Sequence, residues 1–372
     1  MLLVLGLLLF ICLVLVHEWG HFKVARRNGV EVEEFGLFFP PRAKVLTKKN
    51  GTEYTLNWLP LGGFVKLKGE NDADRRPGTF GAATFGVKTK ILLAGVGMNL
   101  LTAFIMLTAL AWIGMPRLVD NQFTIGADTN VVQHDVFAGY IVPGSPAEEV
   151  GIQRGDKLVS LQHADEAPET IATDETLPGL TKDHAGEPVT LTYVRDGNER
   201  TAKMQLLDES TVEASRGTDN PQGYAGITSV EYTVQRSTWS APLVAAGLIT
   251  QFTVLTFQGL GTAVASLFQG DTQTASEQVA GPVGVFAVLQ QGSLFGFEFV
   301  LMVIAIISLS LALINVLPIP ALDGGRLFVL AVSRVMKKPL TKEREELIHG
   351  LGFVFLIGLI ILITVVDVNR FF

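Results

Sequence analysis

The chain has 372 residues, of which 48% are hydrophobic and only 17% are charged. Soluble domains carry about 25% charged residues on average, so the composition indicates a membrane protein. The net charge of −7 argues against nucleic-acid binding, which needs a basic surface. The single cysteine, Cys12, excludes a disulfide framework within the chain.

Four weakly polar runs are long enough, or nearly long enough, to cross a bilayer, which takes roughly 20 apolar residues. They cover residues 2–16, 91–115, 299–317 and 351–366. A signal peptide is disfavoured for the first run, because it lacks a basic start and a small-residue cleavage site. We predict a polytopic α-helical membrane protein with four transmembrane helices, within 1–24, 88–115, 297–326 and 347–368.

Basic residues cluster in two places, with thirteen Lys and Arg between residues 23 and 90 and six between 326 and 344. Lys and Arg near the ends of membrane spans mark the cytoplasmic side. The long stretch 116–296 carries nine basic and twenty-two acidic residues. We therefore expect both termini and this acidic stretch to be extracytoplasmic.

The cytoplasmic-side loop 25–87 contains alternating, strand-like segments at 30–33, 54–59 and 62–68. The segment 37–41 is unusually apolar for a loop. Two interpretations stay open: a small soluble β-hairpin, or a hairpin that enters the membrane beside the first helix. The second requires protein or a wet cavity to satisfy the backbone at membrane depth.

A compact β-rich domain is predicted at 125–232. Its signals are strands at 138–142, 157–161 and 189–195, a short helix at 147–151 and an Asp-Gly turn at 196–197. Residues 163–187 are polar and acidic, so we interpret them as a loop insertion.

The following segment, 236–296, contains an uncharged run at 240–270 that has the length of a fifth span. Several polar side chains fall near one face of a helix there, which is typical of an amphipathic helix in the membrane interface. These are Gln251, Gln258, Thr262 and Gln269. We predict an amphipathic, interfacial segment.

The end of the first span carries an H-E-x-x-H motif, His17-Glu18-Trp19-Gly20-His21. Histidines at i and i+4 project from one helix face and can hold one Zn²⁺ between them. Glu18 is then placed to take a proton from a water whose pKa the metal lowers to about 7. Ionisable groups are costly in a membrane, so their presence there indicates function.

A third ligand is expected, because catalytic zinc usually takes three protein ligands. Asp323 is the candidate, since it follows a helix broken by Pro318 and Pro320 and precedes two glycines that free the chain. Basic residues follow both the histidine motif and Asp323, so both are expected at the cytoplasmic side. A fifth span at 240–270 would put Asp323 across the membrane from the histidines. The other histidines outside the motif are expected to be ordinary surface residues, namely His134, His163, His184 and His349.

The zinc motif in the first span, together with Leu322-Asp323-Gly324 after a broken helix, resembles the site-2 protease family of intramembrane metalloproteases. A PDZ-like segment between the second and third spans resembles the bacterial members that regulate σ-factor signalling. The resemblance extends in order over nearly the whole chain and includes Gly281-Pro282-Val283-Gly284. It implies a membrane-associated β-hairpin and an inserted, extracytoplasmic PDZ-like α+β domain.

The resemblance also implies roles for individual residues. His17, His21 and Asp323 would bind Zn²⁺, with Glu18 as the catalytic base. Substrate-binding roles are implied for Asn315, Pro318, Pro320, Gly62, Gly63 and Phe64, the last three in a re-entrant hairpin that pairs with an extended substrate strand. The run 94–99 lacks the proline that family members often carry before the asparagine, which leaves the role of Asn99 open.

The implied function is an intramembrane zinc metalloendopeptidase of the bacterial cytoplasmic (inner) membrane. Its substrates would be single-span membrane proteins, such as anti-σ factors or signal-peptide remnants, first trimmed by another protease. The PDZ-like domain would either bind substrate or act as a gate. Two other classes are weaker: a membrane scaffold would not need a complete metal site, and a transporter would be expected to show repeated spans.

Overall fold

A computed structural model describes residues 1–217, 221–338 and 340–371, without the side chains of Pro60, Leu61 and Phe371. The chain divides into two compact units. One comprises Met1–Trp112 and Trp239–Phe372, and the other is Ile113–Thr238. The second unit is therefore inserted into the sequence of the first, and each has apolar core clusters of its own.

The first unit begins with an apolar helix, two long strands and a second apolar helix. These are α1 (Leu2–Arg27), β1 (Val32–Lys49), β2 (Thr52–Leu67) and α2 (Phe85–Ile113). Two basic residues, Arg26 and Arg27, occupy the last turn of α1, where cations stabilise the negative end of the helix dipole. The helix thus continues slightly beyond its predicted end at residue 24.

The strands β1 and β2 are antiparallel, and the middle of β1 is paired on both sides. Leu37 lies opposite Leu56 on one side and opposite Gly63 on the other. Large apolar side chains at the far end of this hairpin, Phe39, Trp58 and Leu59, are exposed. An exposed apolar patch of this kind is typical of a surface that contacts a membrane or another protein.

The second unit is an α+β unit. Its elements are β3 (Met115–Pro116), β4 (Asn130–Ile141), α3 (Pro146–Glu149), β5 (Lys157–His163), β6 (Glu169–Thr170), α4 (Thr176–Asp183), β7 (Pro188–Arg195), β8 (Asn198–Gln205), α5 (Glu209–Ser215) and β9 (Ile227–Arg236). Within the described residues they form a seven-stranded sheet in the order β3-β9-β4-β5-β7-β8, with β6 beside β5. The PDZ-like assignment of this unit stays a prediction.

The predicted strands coincide with β4, β5 and β7, and the predicted Asp-Gly turn joins β7 to β8. The insertion 163–187 differs from its prediction as a loop, because it contains β6 and the helix α4. Leu177 and Thr181, four residues apart, are buried on one face of α4. Burial of that short face against the rest of the unit stabilises the helix, although the polar composition of the segment predicts a loop.

The chain returns to the first unit with α6 (Ala241–Gln269), α7 (Thr272–Glu277), α8 (Pro282–Gly292), a 3₁₀ turn (Ser293–Phe295), α9 (Phe297–Val316), α10 (Asp323–Val335) and α11 (Lys342–Phe371). The predicted third span, 297–326, is two helices, because α9 ends at Val316. Pro318 and Pro320 lack amide hydrogens and disfavour helical geometry in the residues before them. Asp323 is the first residue of α10 rather than part of the spanning helix.

In the described part of the chain, five helices are long and apolar enough to cross a membrane: α1, α2, α6, α9 and α11. Four of them, α1, α2, α9 and α11, overlap the predicted spans. Length and composition therefore leave open whether α6 crosses the bilayer or lies in its interface, and the count of four spans stays a prediction.

Candidate active site

The two motif histidines lie one turn apart on α1, and both are buried. Their Nε2 atoms are 3.1 Å apart. The spacing of the motif on an α-helix is sufficient to explain this approach, since residues i and i+4 share one face. The imidazoles therefore present two nitrogen ligands to one point.

Asp323 completes a cluster of three metal-binding side chains. Its Oδ2 lies 3.2 Å from Nε2 of His17 and 3.1 Å from Nε2 of His21. Ligand atoms around a tetrahedral Zn²⁺, with bonds of about 2.0–2.1 Å, are separated by about 3.3 Å. The Asp323 Oδ2 atom is buried, and no hydrogen bond of ordinary geometry reaches it from the described residues. Three convergent acceptors without donors fit a divalent cation.

The loop between α9 and α10 places Asp323 at this point. Ala321 has a φ of 80°, and its amide donates a hydrogen bond of 3.4 Å to Nδ1 of His349 on α11. Gly324 and Gly325 are buried where a side chain would collide with the carbonyl oxygens of Val316 and Ile319. The two glycines therefore permit close backbone packing, whereas the sequence suggested that they make the segment flexible. His349, expected to be an ordinary surface histidine, is half-buried beneath this loop.

Helix α2 forms the wall behind the imidazoles. A Cβ added to Gly95 would lie 2.6 Å from His17 Nε2 and closer still to His21 Nε2. Real Cβ contacts essentially never fall below 3.0 Å. Gly95 therefore leaves the space that the two rings occupy.

Hydrogen bonds from α2 orient both rings. Nδ1–H of His21 donates to the carbonyl oxygen of Ile91 at 2.7 Å, which leaves its Nε2 as the acceptor that a metal requires. The amide group of the buried Asn99 lies against Nδ1 of His17, at 3.3 Å from Nδ2. Its Oδ1 is buried without a hydrogen bond from the described residues. An amide flip is equivalent in shape, and it would let Oδ1 accept Nδ1–H of His17 and fix the same tautomer there.

Glu18 lies between the histidine cluster and the hairpin. Its Cγ would be only 3.3 Å from a Cβ on Gly63, so the strand approaches the carboxylate closely at that residue. The backbone of Val65 faces the Glu18 carboxylate. The second half of β2 therefore lies directly beside the predicted catalytic base.

The other predicted substrate-binding residues are placed as follows. Asn315 donates its side-chain hydrogen to the carbonyl of Leu311 in its own helix, and Pro318 is exposed in the loop before Asp323. Pro320 is half-buried in the same loop. Gly62, with a φ of 122°, packs against the ring of Phe39, and Phe64 covers Gly36 of β1. Their roles toward a substrate stay predictions.

A cavity of about 950 Å³ opens beside Asp323. Its lining includes Glu70 and Asn71 from the segment after β2, Arg326 from α10 and His349 from α11. Polar side chains therefore line an open space beside the metal-binding cluster.

Sequence reasoning missed Gly95, Ile91, Val65 and His349 as parts of this site, and it left Asn99 undecided. The available signal on α2 was the pair Gly95 and Asn99. They lie four residues apart on an apolar helix and so share one helix face, and small and polar residues on such a face are typical of close contact with another helix. The Ile91 and Val65 contacts use backbone atoms, for which a side-chain pattern carries no signal.

Comparison with known proteins agrees with this geometry. The model of peptidase family M50 matches residues 5–359. A putative zinc metalloprotease of Clostridium perfringens is 32% identical over 99% of this chain and 98% of its own. The zinc metalloprotease RasP of Geobacillus kaustophilus is 25% identical, over 98% and 97% of the two chains, and the probable protease Eep of Enterococcus faecalis is 24% identical over 98% of each.

These matches cover nearly the whole chain and reach all five long apolar helices. The protein is a multi-pass membrane protein, and it belongs to peptidase family M50, the site-2 protease family of zinc metalloproteases.

Proposed function

We propose that the protein is an intramembrane protease that cuts single-span membrane proteins within or near their transmembrane segments. The observation that carries the proposal is the convergence of His17, His21 and Asp323 to within 3.2 Å of one another, at helices apolar enough to cross a bilayer. Glu18, adjacent to His17 on the same helix, faces the cluster.

The two histidines and Asp323 would hold Zn²⁺. When bound, the metal supplies Lewis-acid polarisation of the scissile carbonyl and lowers the pKa of water at the site. The Glu18 carboxylate accepts a proton from the attacking water, whose oxygen bonds to the carbonyl carbon. As the carbon–nitrogen bond breaks, Glu18 returns that proton to the leaving amine. The cavity beside Asp323 supports water access to these groups.

The edge of β2 supports a mode of substrate binding. A transmembrane helix hides its carbonyl groups in hydrogen bonds, so cleavage needs a locally extended segment. Residues 63–67 pair with β1 on one side and lie beside Glu18 on the other. An extended substrate added to that edge by β-augmentation would bring its carbonyls to the base. Asn315, Pro318 and Pro320, in the segment that leads to Asp323, would contact the same strand from the other side.

Four spans, rather than five, agree best with the chain's path. Asp367, near the end of α11 remote from His349, accepts hydrogen bonds from the amides of Gly281 and Gly284. The segment before α9 is therefore on the far side of the membrane from Asp323. Helix α2 passes the histidines at Ile91 and Asn99 and leaves toward that same far side. The end of α2 and the segment before α9 would then lie on the same side of the membrane. A single crossing by α6 would put them on opposite sides, so this path favours an interfacial α6.

Basic residues cluster on the side of the site, which supports a cytoplasmic active site in a bacterial inner membrane, with the termini and the inserted unit outside the cytoplasm. The exposed Phe39, Trp58 and Leu59 favour a hairpin that enters the lipid. A large extracytoplasmic unit would suit a gate that excludes substrates with bulky outer domains until another protease trims them. Deletion of 125–232 should then allow cleavage of an untrimmed substrate, and cleavage of trimmed substrate alone would contradict the gate.

The decisive experiment compares cleavage of a single-span model substrate by the purified wild type and by Glu18→Gln, with bound zinc measured in both. We expect cleavage only by the wild type and zinc in both proteins, because Glu18 is the proton carrier and not a ligand. Glu199→Gln, an exposed position on β8, is the matched control and should cleave normally. Equal cleavage by the wild type and Glu18→Gln would refute the mechanism. Ion flux into vesicles without cleavage would favour a transporter instead.

A further inference from the structure

A second cavity, of about 630 Å³, lies beside the start of α2, and basic side chains dominate its lining. Five cations and one carboxylate line it, and they come from separate stretches of the chain: Asp72, Arg75, Lys88, Arg334, Lys337 and Lys338. Basic residues near the ends of membrane spans are common on one side of a membrane. That tendency does not explain why segments far apart in sequence bring like charges into one small space, where they repel each other unless an anion is present.

The carboxylate in this cavity is already neutralised within the protein. Asp72 accepts a hydrogen bond from Nζ of the buried Lys88, and its other oxygen lies 3.6 Å from a guanidinium nitrogen of Arg75. The three basic residues at the end of α10 have no carboxylate within ion-pair distance among the described residues: Arg334, Lys337 and Lys338. Their positive charges are therefore available to an anion from outside the chain.

The ends of α2 and α10 hold these basic groups in place. The guanidinium carbon of Arg334 lies 5.2 Å from the ring centroid of Phe85, the first residue of α2. The Ser333 hydroxyl donates a hydrogen bond of 2.5 Å to the carbonyl of Lys338, and the amide of Lys338 donates one of 3.1 Å to the carbonyl of Ser333. The chain after α10 thus folds back on the helix end. The N-terminus of α2 adds a partial positive charge to the same space.

The outer face of α10 adds an apolar surface next to this cavity. Phe328, Val332 and Val335 follow the i, i+4, i+7 pattern of one helix face and are 53%, 37% and 82% exposed. Leu330, on the opposite face, is buried and lines the cavity. A helix that is apolar on its exposed face and basic at its end is typical of a membrane interface. Helix α2 carries no charged residue after Lys90, so the cavity lies where its apolar part begins.

We propose that this cavity binds the phosphate of an anionic phospholipid headgroup, with the acyl chains along the exposed apolar face of α10. Phosphate oxygens accept charge-assisted hydrogen bonds from Arg and Lys side chains. Basic pockets between membrane helices bind anionic lipid headgroups by the same chemistry. The lipid joins the end of α10, whose first residue is Asp323, to the start of α2, which orients the two histidines. The proposal concerns lipid binding alone and does not depend on the proposed protease function.

The test measures lipid binding by the delipidated, detergent-solubilised full-length protein in native mass spectrometry. The probes are dioleoylphosphatidylglycerol, which is anionic, and dioleoylphosphatidylcholine, which has no net charge. We expect saturable binding of phosphatidylglycerol in preference to phosphatidylcholine. Each lysine near an anionic lipid contributes about fivefold in affinity, the equivalent of about 1 kcal/mol, so Lys337→Gln/Lys338→Gln should bind phosphatidylglycerol roughly 25-fold more weakly. Lys48→Gln/Lys49→Gln is the matched control, because it removes two adjacent, exposed lysines at the end of β1, and it should bind as the wild type does.

Acetylation of lysines in the wild type locates the bound lipid and does not depend on the folding of a variant. Phosphatidylglycerol should protect Lys337 and Lys338 from acetic anhydride and should leave Lys48 and Lys49 reactive. Inorganic phosphate at the same concentration should protect none of them, because it lacks the acyl chains that contact α10. Equal affinity of the wild type and Lys337→Gln/Lys338→Gln for phosphatidylglycerol would overturn the proposal. So would equal binding of the two lipids, or protection of Lys337 and Lys338 by inorganic phosphate as strong as that by the lipid.

Discussion

Replacement of Gly95 by alanine tests whether the wall of α2 determines the metal-binding geometry. The new Cβ would lie 2.6 Å from His17 Nε2, and ordinary van der Waals contact begins at 3.4 Å. Either α2 or the imidazoles must therefore move by at least about 0.8 Å, and further at His21, because a packed interior has no spare room. Functional groups must be held to within about 0.5 Å, and a displacement of about 1 Å costs on the order of 100-fold in rate.

The assay measures cleavage of a single-span substrate and zinc affinity by competition with a chelator. We expect Gly95→Ala to cleave about 100-fold more slowly and to bind zinc roughly 10–100-fold more weakly. Gly97→Ala is the control, since a Cβ at Gly97 of the same helix meets nothing within 4 Å. If Gly95→Ala cleaves and binds zinc as well as Gly97→Ala does, the proposed role of this wall is wrong.

Three further predictions test other parts of the molecule. Asn99→Leu removes the amide beside His17 Nδ1, so zinc affinity should fall about 10–100-fold, while Thr102→Val on the same helix should leave it unchanged; equal affinities would exclude an orienting role. Asp156→Asn breaks a partly buried bidentate pair with Arg195, at 2.6 Å for each bond, and should lower the free energy of unfolding of the inserted unit by about 1.5–3 kcal/mol in denaturant titrations; an unchanged midpoint would contradict this. Chelation should abolish cleavage, and added Zn²⁺ but not Mg²⁺ should restore it, because nitrogen ligands disfavour Mg²⁺.

Local sequence rules were enough for the parts of the site that lie within one element. The i, i+4 spacing of His17 and His21 brings their ring nitrogens together on any α-helix, whatever surrounds it. Pro318 and Pro320 end the preceding helix through missing amides and steric restriction, again a local effect. The placement of basic residues predicted one side of the membrane for both parts of the site, which is why Asp323 could be paired with the histidines before any contact was known.

Contacts between elements could not be read in this way. Three features of the site depend on how separate segments pack: the approach of α2 at Gly95, the side chain that bonds His17, and the strand beside Glu18. The Ile91 and Val65 contacts use backbone atoms, which every residue has, so the sequence carries no signal for them. The predicted loop at 163–187 became a strand and a helix because Leu177 and Thr181 are buried by neighbours distant in sequence.

The sequence by itself determined the membrane character, the metal-binding motif and the broken helix, because composition, helical periodicity and proline chemistry act over a few residues. Only the tertiary structure decided which side chains orient the ligands, which strand faces the base and which basic residues share a cavity with Lys88. These features follow from sheet register and helix packing, in which residues far apart in the chain share one small volume.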